Sequence, residues 1–130
     1  MTSGAPAAKI YRMTVYRGAP VIDPAIKRGS ARLAVLSVLA AGPRHGYELA
    51  RRIEEQTGGA LGFTLASLYP LLYRLERRGF VAGEWKTAPS GRQRRYYRLT
   101  PRGRRELRPL RAQWRRFFEA LQRLPGVADA

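Results

Sequence analysis

The sequence predicts a mostly α-helical fold with one small β-hairpin, and three observations predict it. Between residues 30 and 78, three apolar helical patterns follow one another, each closed by glycine. Two β-prone segments, Phe80–Lys86 and Gln93–Leu99, then flank a turn-forming stretch that holds Pro89, Ser90 and Gly91. Beyond them, Leu107, Leu110, Trp114, Phe117, Leu121 and Leu124 recur at spacings of 3, 4, 3, 4 and 3, the period of a helical seam.

Taken in order, residues 1–29 form an N-terminal extension. Ile10–Tyr16 could make a short strand or a docking arm, or simply a solvated tail, and Lys9, Arg12 and Arg17 are placed to touch phosphate. Pro20, Pro24 and Gly29 punctuate the extension. The first helix is expected from Ser30, as N-cap, to about Ala41, before Gly42-Pro43. Leu33, Ala34, Val35, Leu36, Val38 and Leu39 cover almost its whole circumference, so it must be buried on more than one side, and a second subunit is one way to cover the far side.

A second helix spans about His45 to Thr57, with Leu49, Ala50 and Ile53 inward, Glu54-Glu55 read as a solvated face, and Gly58-Gly59 as the stop. Thr64 caps a third helix over Leu65–Arg78. Leu65, Leu68, Leu72 and Leu75 share one face, Pro70 threatens to bend the first turn, and Gly79 ends it. Trp85 in the first hairpin strand is read as packing. The last helix opens at Thr100-Pro101, a cap followed by proline at the first helical position, and closes at Pro125-Gly126. Pro109 is expected to kink or split it, and Gly103 to weaken its first turn.

This gives a domain over 30–99, a C-terminal dimerisation helix over 100–124 and a tail over 125–130. The seam is too short for a self-sufficient coiled coil, so it needs a partner surface, such as the first helix of a second chain through Leu36. Trp114, Phe117, Phe118, Leu121 and Leu124, with Leu107 and Leu110, are the expected dimer contacts.

Charge narrows the function classes. Lys plus Arg number 25 against 9 Asp plus Glu, a net charge of +16. Such an excess repels itself in a compact fold unless a polyanion screens it. All but three of these cations (Lys9, Lys27 and Lys86) are arginines, whose planar fork suits phosphates and guanine edges, although GC-rich coding also enriches arginine. From Lys86 to Arg116 there are twelve basic residues and one acid, Glu106. There is no cysteine, so disulfides and thiolate metal sites are excluded and a reducing cytoplasm is compatible. The longest apolar run is too short to span a bilayer, the N-terminus lacks a signal pattern, and no membrane partner is expected. Neither a catalytic constellation nor a phosphate loop of the required spacing occurs. No enzyme activity, cofactor or metal is expected. His45 alone can build neither a triad nor a metal site, and reads as support for the start of the second helix.

Three helices, a hairpin and a long helix, with a short glycine-containing link between helices two and three, are the pattern of a helix-turn-helix with a wing. The third helix divides its labour: leucines hold it, while Ser67, Tyr69, Tyr73 and Arg74 are free for a DNA groove. Arg92, Arg94 and Arg95 sit where a wing brings cations to duplex backbone.

The stretches GPRHGYELARRIEEQTGG (42–59), SLYPLLYRLERRGFV (67–81), SGRQRRYYRLTPRG (90–103) and LRAQW (110–114) occur in one order. Together they resemble the PadR family of winged-helix transcriptional regulators, over about residues 27–124. The resemblance implies dimeric binding to double-stranded DNA, usually repression, through the helix carrying LYP, which favours Tyr69 at DNA, and through the wing carrying SGRQRR, which adds Ser90 and Gly91 to the DNA-binding set. It implies dimerisation through the C-terminal helix, as in family members with a short C-terminal region. It also implies a pocket near the dimer seam for a small flat aromatic effector, with Trp114 and Phe118 as lining. The N-terminal extension departs from the family pattern. Two other classes stay open from the residues alone: an RNA- or ribosome-associated basic protein, and a dimeric scaffold that has kept the fold without binding DNA.

Overall fold

The computed structural model describes residues 22–128. Ile10–Tyr16, with Lys9, Arg12 and Arg17, lies outside the described residues. The elements are α1 (Pro24–Leu39), β1 (Arg44–His45), α2 (Gly46–Gln56), α3 (Leu65–Arg77), β2 (Val81–Thr87), β3 (Gln93–Leu99) and α4 (Pro101–Gln122).

α1 begins at Pro24 rather than Ser30. The Asp23 carboxylate accepts from the Ala25 N–H at 2.8 Å, and Pro24 takes the first helical position, where a missing N–H is harmless. Asp23-Pro24 is therefore a start signal and not loop punctuation. Ser30 is mid-helix, its hydroxyl donating to the Lys27 carbonyl at 3.0 Å. α1 is the hub of the fold, packed against α2, α4 and β3. Most of its apolar circumference is covered within the chain: Val35 and Leu36 have no exposed surface, Ala31, Val38 and Leu39 are buried, and Leu33 and Ala34 are partly buried. Leu36, expected at a dimer face, is core.

His45 caps α2, its Nδ1 accepting from the Glu48 N–H at 3.2 Å. Gly46, Leu49, Ile53 and Glu54 are buried, the i, i+3, i+7 and i+8 positions of one stripe. That spacing carries Glu54 inward, against its reading as a solvated residue. In the link to α3, the Thr57 hydroxyl donates to the Ile53 carbonyl at 2.8 Å and accepts from the Leu61 N–H at 3.1 Å. Thr64 then caps α3 through the Ser67 N–H at 3.2 Å. Leu68, Leu72 and Leu75 are buried as expected, while Leu65 is partly exposed in the first turn.

The hairpin joins a three-stranded antiparallel sheet of order β1-β3-β2, with Val81 opposite Leu99 at its base and Thr87 opposite Gln93 at its tip. β1 is a two-residue strand pairing Arg44 with Tyr97 and His45 with Tyr96. At that length it carries no sequence period.

Thr100 secures the junction to α4. Its Oγ1 accepts from the Gly103 N–H at 3.0 Å and donates to the Gly79 carbonyl at 2.6 Å. Gly103 does not loosen this turn; a Cβ there would collide with the Phe80 carbonyl oxygen, so glycine lets α4 dock on the sheet. α4 runs unbroken through Pro109. Pro109 and Arg105 are both exposed, so water can serve the Arg105 carbonyl that loses its helical donor.

Candidate nucleic-acid interface

α3 presents Ser67, Tyr69, Tyr73, Arg74 and Arg77 on the side opposite its buried leucines. The division expected from the leucine spacing is thus present in three dimensions. Tyr69 is half-exposed, with its hydroxyl end laid on the start of α2; a Cβ on Gly46 would lie 2.6 Å from that oxygen. Tyr73 projects freely at 60% exposure, with the Arg77 guanidinium 5.6 Å from its ring centre. Ser67 is exposed, but its hydroxyl donates to the Thr64 carbonyl at 2.9 Å, so it is partly occupied by the cap.

The tip of the wing, residues 88–92, is closed by Ala88 N–H to Arg92 carbonyl at 2.7 Å and Gly91 N–H to Ala88 carbonyl at 2.8 Å. Ser90, Gly91 and Arg92 are exposed there. The arginines behind the tip alternate between faces, as strand geometry requires. Arg94 turns toward Lys86 and His45. Arg95 turns toward α3, where its Nη2 donates to Glu76 at 2.7 Å; the same carboxylate oxygen accepts from the Gly83 N–H at 3.2 Å.

Arg95 therefore clamps the wing to α3, and its guanidinium is partly covered by that contact. Its guanidinium also lies between the rings of Trp85 (5.8 Å) and Tyr97 (5.7 Å), over a gap that only glycine at position 83 leaves open. Trp85, read as packing, is instead 63% exposed beside this clamp. Sequence reasoning missed Glu76, Trp85 and Arg77. Arg77 was legible as the next turn after Tyr73; the Trp85–Arg95 pair needed the strand register.

His45 lies edge-on to Tyr96 at 5.3 Å. Burial, reinforced by Arg94 and Arg51 and opposed by Glu48, holds its pKa below the ordinary histidine value of 6.5. This favours the neutral ring that its cap requires.

A family profile described as "Transcriptional regulator PadR-like family" matches residues 35–109. The chain belongs to this family. Among solved structures it is similar to a PadR family transcriptional regulator from Eggerthella lenta, at 34% identity and a TM-score of 0.68, covering 79% of this chain and 88% of that one. It is also similar to Bacillus subtilis PadR in complex with operator DNA, at 25% identity and a TM-score of 0.56 over 62% of this chain and 45% of that chain. A relative named "Transcriptional regulator Rv3488", from Mycobacterium tuberculosis, is 35% identical over 83 residues, 62% of this chain and 72% of that protein. The PadR-like region thus runs from within α1 to the middle of α4, and includes the whole helix-turn-helix, the wing and the start of the seam. This chain is a PadR-like transcriptional regulator, not an enzyme.

The seam residues divide. Leu107 and Leu110 are buried in the chain's own core. Trp114 is partly buried, and Phe117, Phe118, Leu121 and Leu124 are exposed. Trp114 meets Phe117 edge-on at 5.5 Å and Phe118 at 5.7 Å. An open groove of about 400 Å³ between α1 and α4 is lined by Gly29, Arg32, Leu110, Gln113, Trp114 and Phe117. Phe118, expected in its lining, stands outside it. Among the described residues no helix is long and apolar enough to cross a membrane.

Proposed function

We propose that this regulator is a homodimeric repressor that binds a near-palindromic operator in double-stranded DNA. The observation that carries the reading is α3: leucines wholly buried on one side, Tyr69, Tyr73 and Arg74 exposed on the other. Arg92 and Arg94, with Ser90 and Gly91, supply the wing's contacts to the backbone or the adjacent groove. Two α3 helices of a dimer enter successive major grooves about 34 Å apart, so the half-sites are related by the dimer's two-fold axis. Repression follows by occupation of the site.

The second copy covers the aromatic end of α4. Phe117, Phe118, Leu121 and Leu124 form a contiguous apolar face that a soluble single chain has no reason to keep open. A flat aromatic anion fits the adjoining groove, ring against Trp114 and Phe117, charge toward Arg32. By changing the angle between subunits it alters the spacing of the two α3 helices, and so relieves repression. A cytoplasmic location goes with this role.

The test joins selection of bound duplexes from a random pool to footprinting and light scattering. A palindrome protected by a dimer supports the reading. A monomer at micromolar concentration, indifferent to sequence, or a preference for structured RNA at matched salt, overturns it.

A further inference from the structure

Two helices of this chain handle arginine in opposite ways. α2 pairs its arginines one turn apart: Arg51 lies 3.1 Å from Glu55, and Arg52 3.4 Å from Glu48. α4 carries seven arginines and two glutamates, and none of those arginines is in an ion pair among the described residues. Its one paired acid, Glu106, turns instead to Arg32 of α1 at 3.7 Å.

Arg104, Arg108, Arg111 and Arg115 follow at spacings of 4, 3 and 4, and all four are exposed. They form one column about 16 Å long at 1.5 Å of rise per residue. Like charges at these spacings weaken a helix. Arg102 and Arg104 also crowd the first turn, at the positive end of the helix dipole, where no acid offsets them. An arginine-rich codon bias loads both helices alike; it does not explain why α2 neutralises its arginines and α4 does not. An arrangement that works against its own helix is expected where function demands it.

The column is centred about a quarter of a turn from the Leu107–Leu110–Trp114 seam at 100° per residue. It therefore stays outward when a second copy covers the seam. It is also on a different element from the reading face: α4 packs on α1 and β3, while α3 packs on α2 and β2.

We propose that the column of Arg104, Arg108, Arg111 and Arg115 is a second surface for duplex DNA, which holds another segment of DNA by its phosphates while α3 and the wing hold the operator. The protein then bridges two DNA segments as well as marking one. This rests on the DNA-binding reading above. Duplex DNA fits because its two backbones offer a dense, regular array of charge, together one per roughly 1.7 Å of axis, to a straight row of guanidinium forks. The one aromatic among residues 104–115, Trp114, is turned into the seam and half-buried, so no aromatic interleaves the four arginines as a surface for stacking single-stranded bases would require. The contact is indifferent to sequence, since phosphates carry none.

The test compares the full chain with its R104Q/R108Q/R111Q/R115Q variant; glutamine keeps good helix propensity. An operator duplex from the selection carries one fluorescent colour and a scrambled duplex a second. In low salt the wild type brings both colours into one complex. The variant loses scrambled-duplex capture by about tenfold or more, while its operator affinity changes by less than about threefold. Its thermal midpoint without DNA stays level or rises, because repulsion has been removed. Capture that persists in the variant overturns the proposal. So does a parallel fall in operator binding, or an RNA hairpin that outcompetes the scrambled duplex at matched salt. If the wild type does not prefer the operator over the scrambled duplex, it is the operator reading that fails; the column is still judged by the variant's loss of scrambled-duplex binding.

Discussion

The two halves of α4 carry the same 3-4 apolar spacing and meet opposite fates. In the first half, Gly103, Leu107 and Leu110 are buried against the chain's own sheet and α1. In the second, Phe117, Phe118 and Leu121, with Leu124 just past the end of the helix at Gln122, stand open around a half-covered Trp114. The spacing states which face of the helix is apolar; it does not state who covers it. The first half belongs to folding and, in the dimer proposed above, the second to association, and substitutions in the two should read out in different experiments.

The largest effect belongs to the first half. Leu107→Ala leaves a cavity under the sheet and should lower unfolding stability by about 2–5 kcal/mol, measured by urea titration. Gly103→Ala should lower it by about 1–3 kcal/mol or more, since the obstacle is the Phe80 backbone carbonyl, which cannot swing aside. If both variants keep wild-type stability, α4 is docked differently from this description.

The second half should respond in association alone. Leu121→Asp places a charge in the open apolar face and should weaken self-association at least tenfold, about 1.4 kcal/mol, by analytical ultracentrifugation. The urea midpoint of the dissociated chain should stay unchanged. Loss of stability without loss of association would reverse the assignment of the two halves.

The same distinction explains what the sequence made legible. Helix identity, the Thr64 and Thr100 caps and the presence of the hairpin follow from local chemistry, and so does the outward face of α3. The start of α1 was misjudged because Asp23-Pro24 reads equally as a turn, and only the helix that follows decides between them. Glu54 points inward because the stripe continues past Ile53, which its charge concealed. β1 is a strand only because it pairs with β3, a partner about fifty residues away along the chain. The roles of Arg94 and Arg95 diverge because adjacent strand residues face opposite ways, a matter of register and not of composition.

Arg95 and Glu76 sharpen the contrast between core and interface on the other side of the molecule. Glu76→Gln removes a negative charge from the helix proposed to face DNA, so electrostatics alone predict tighter duplex binding. The clamp predicts the reverse. With Arg95 released, the wing loses its fixed angle to α3, and duplex affinity should fall about fivefold, roughly 1 kcal/mol. The stability loss should be smaller, about 0.2–1 kcal/mol, since the pair is partly solvated. Fluorescence anisotropy with an operator duplex decides: tighter binding removes the clamp from the account.

The smallest effect is a pH dependence, and it tests the joint between β1 and α2. His45 caps α2 through a ring nitrogen that must be unprotonated to accept from Glu48 N–H. Burial first, then Arg94, keeps its folded pKa below the ordinary 6.5. The unfolded chain therefore binds the proton more readily than the folded one. Stability from this residue is fully present above pH 6.5 and declines as pH falls through that value toward the lower folded pKa. His45→Asn keeps a capping oxygen without a titrating ring, so it should flatten this part of the stability–pH curve. His45→Ala should flatten it too, and lower stability at pH 7.5 by about 1 kcal/mol. The other titrating groups are common to both proteins, so the difference between wild type and His45→Asn from pH 7.5 to 5.5 isolates the histidine. Parallel curves for the two proteins would mean that the ring's charge does not bear on the cap.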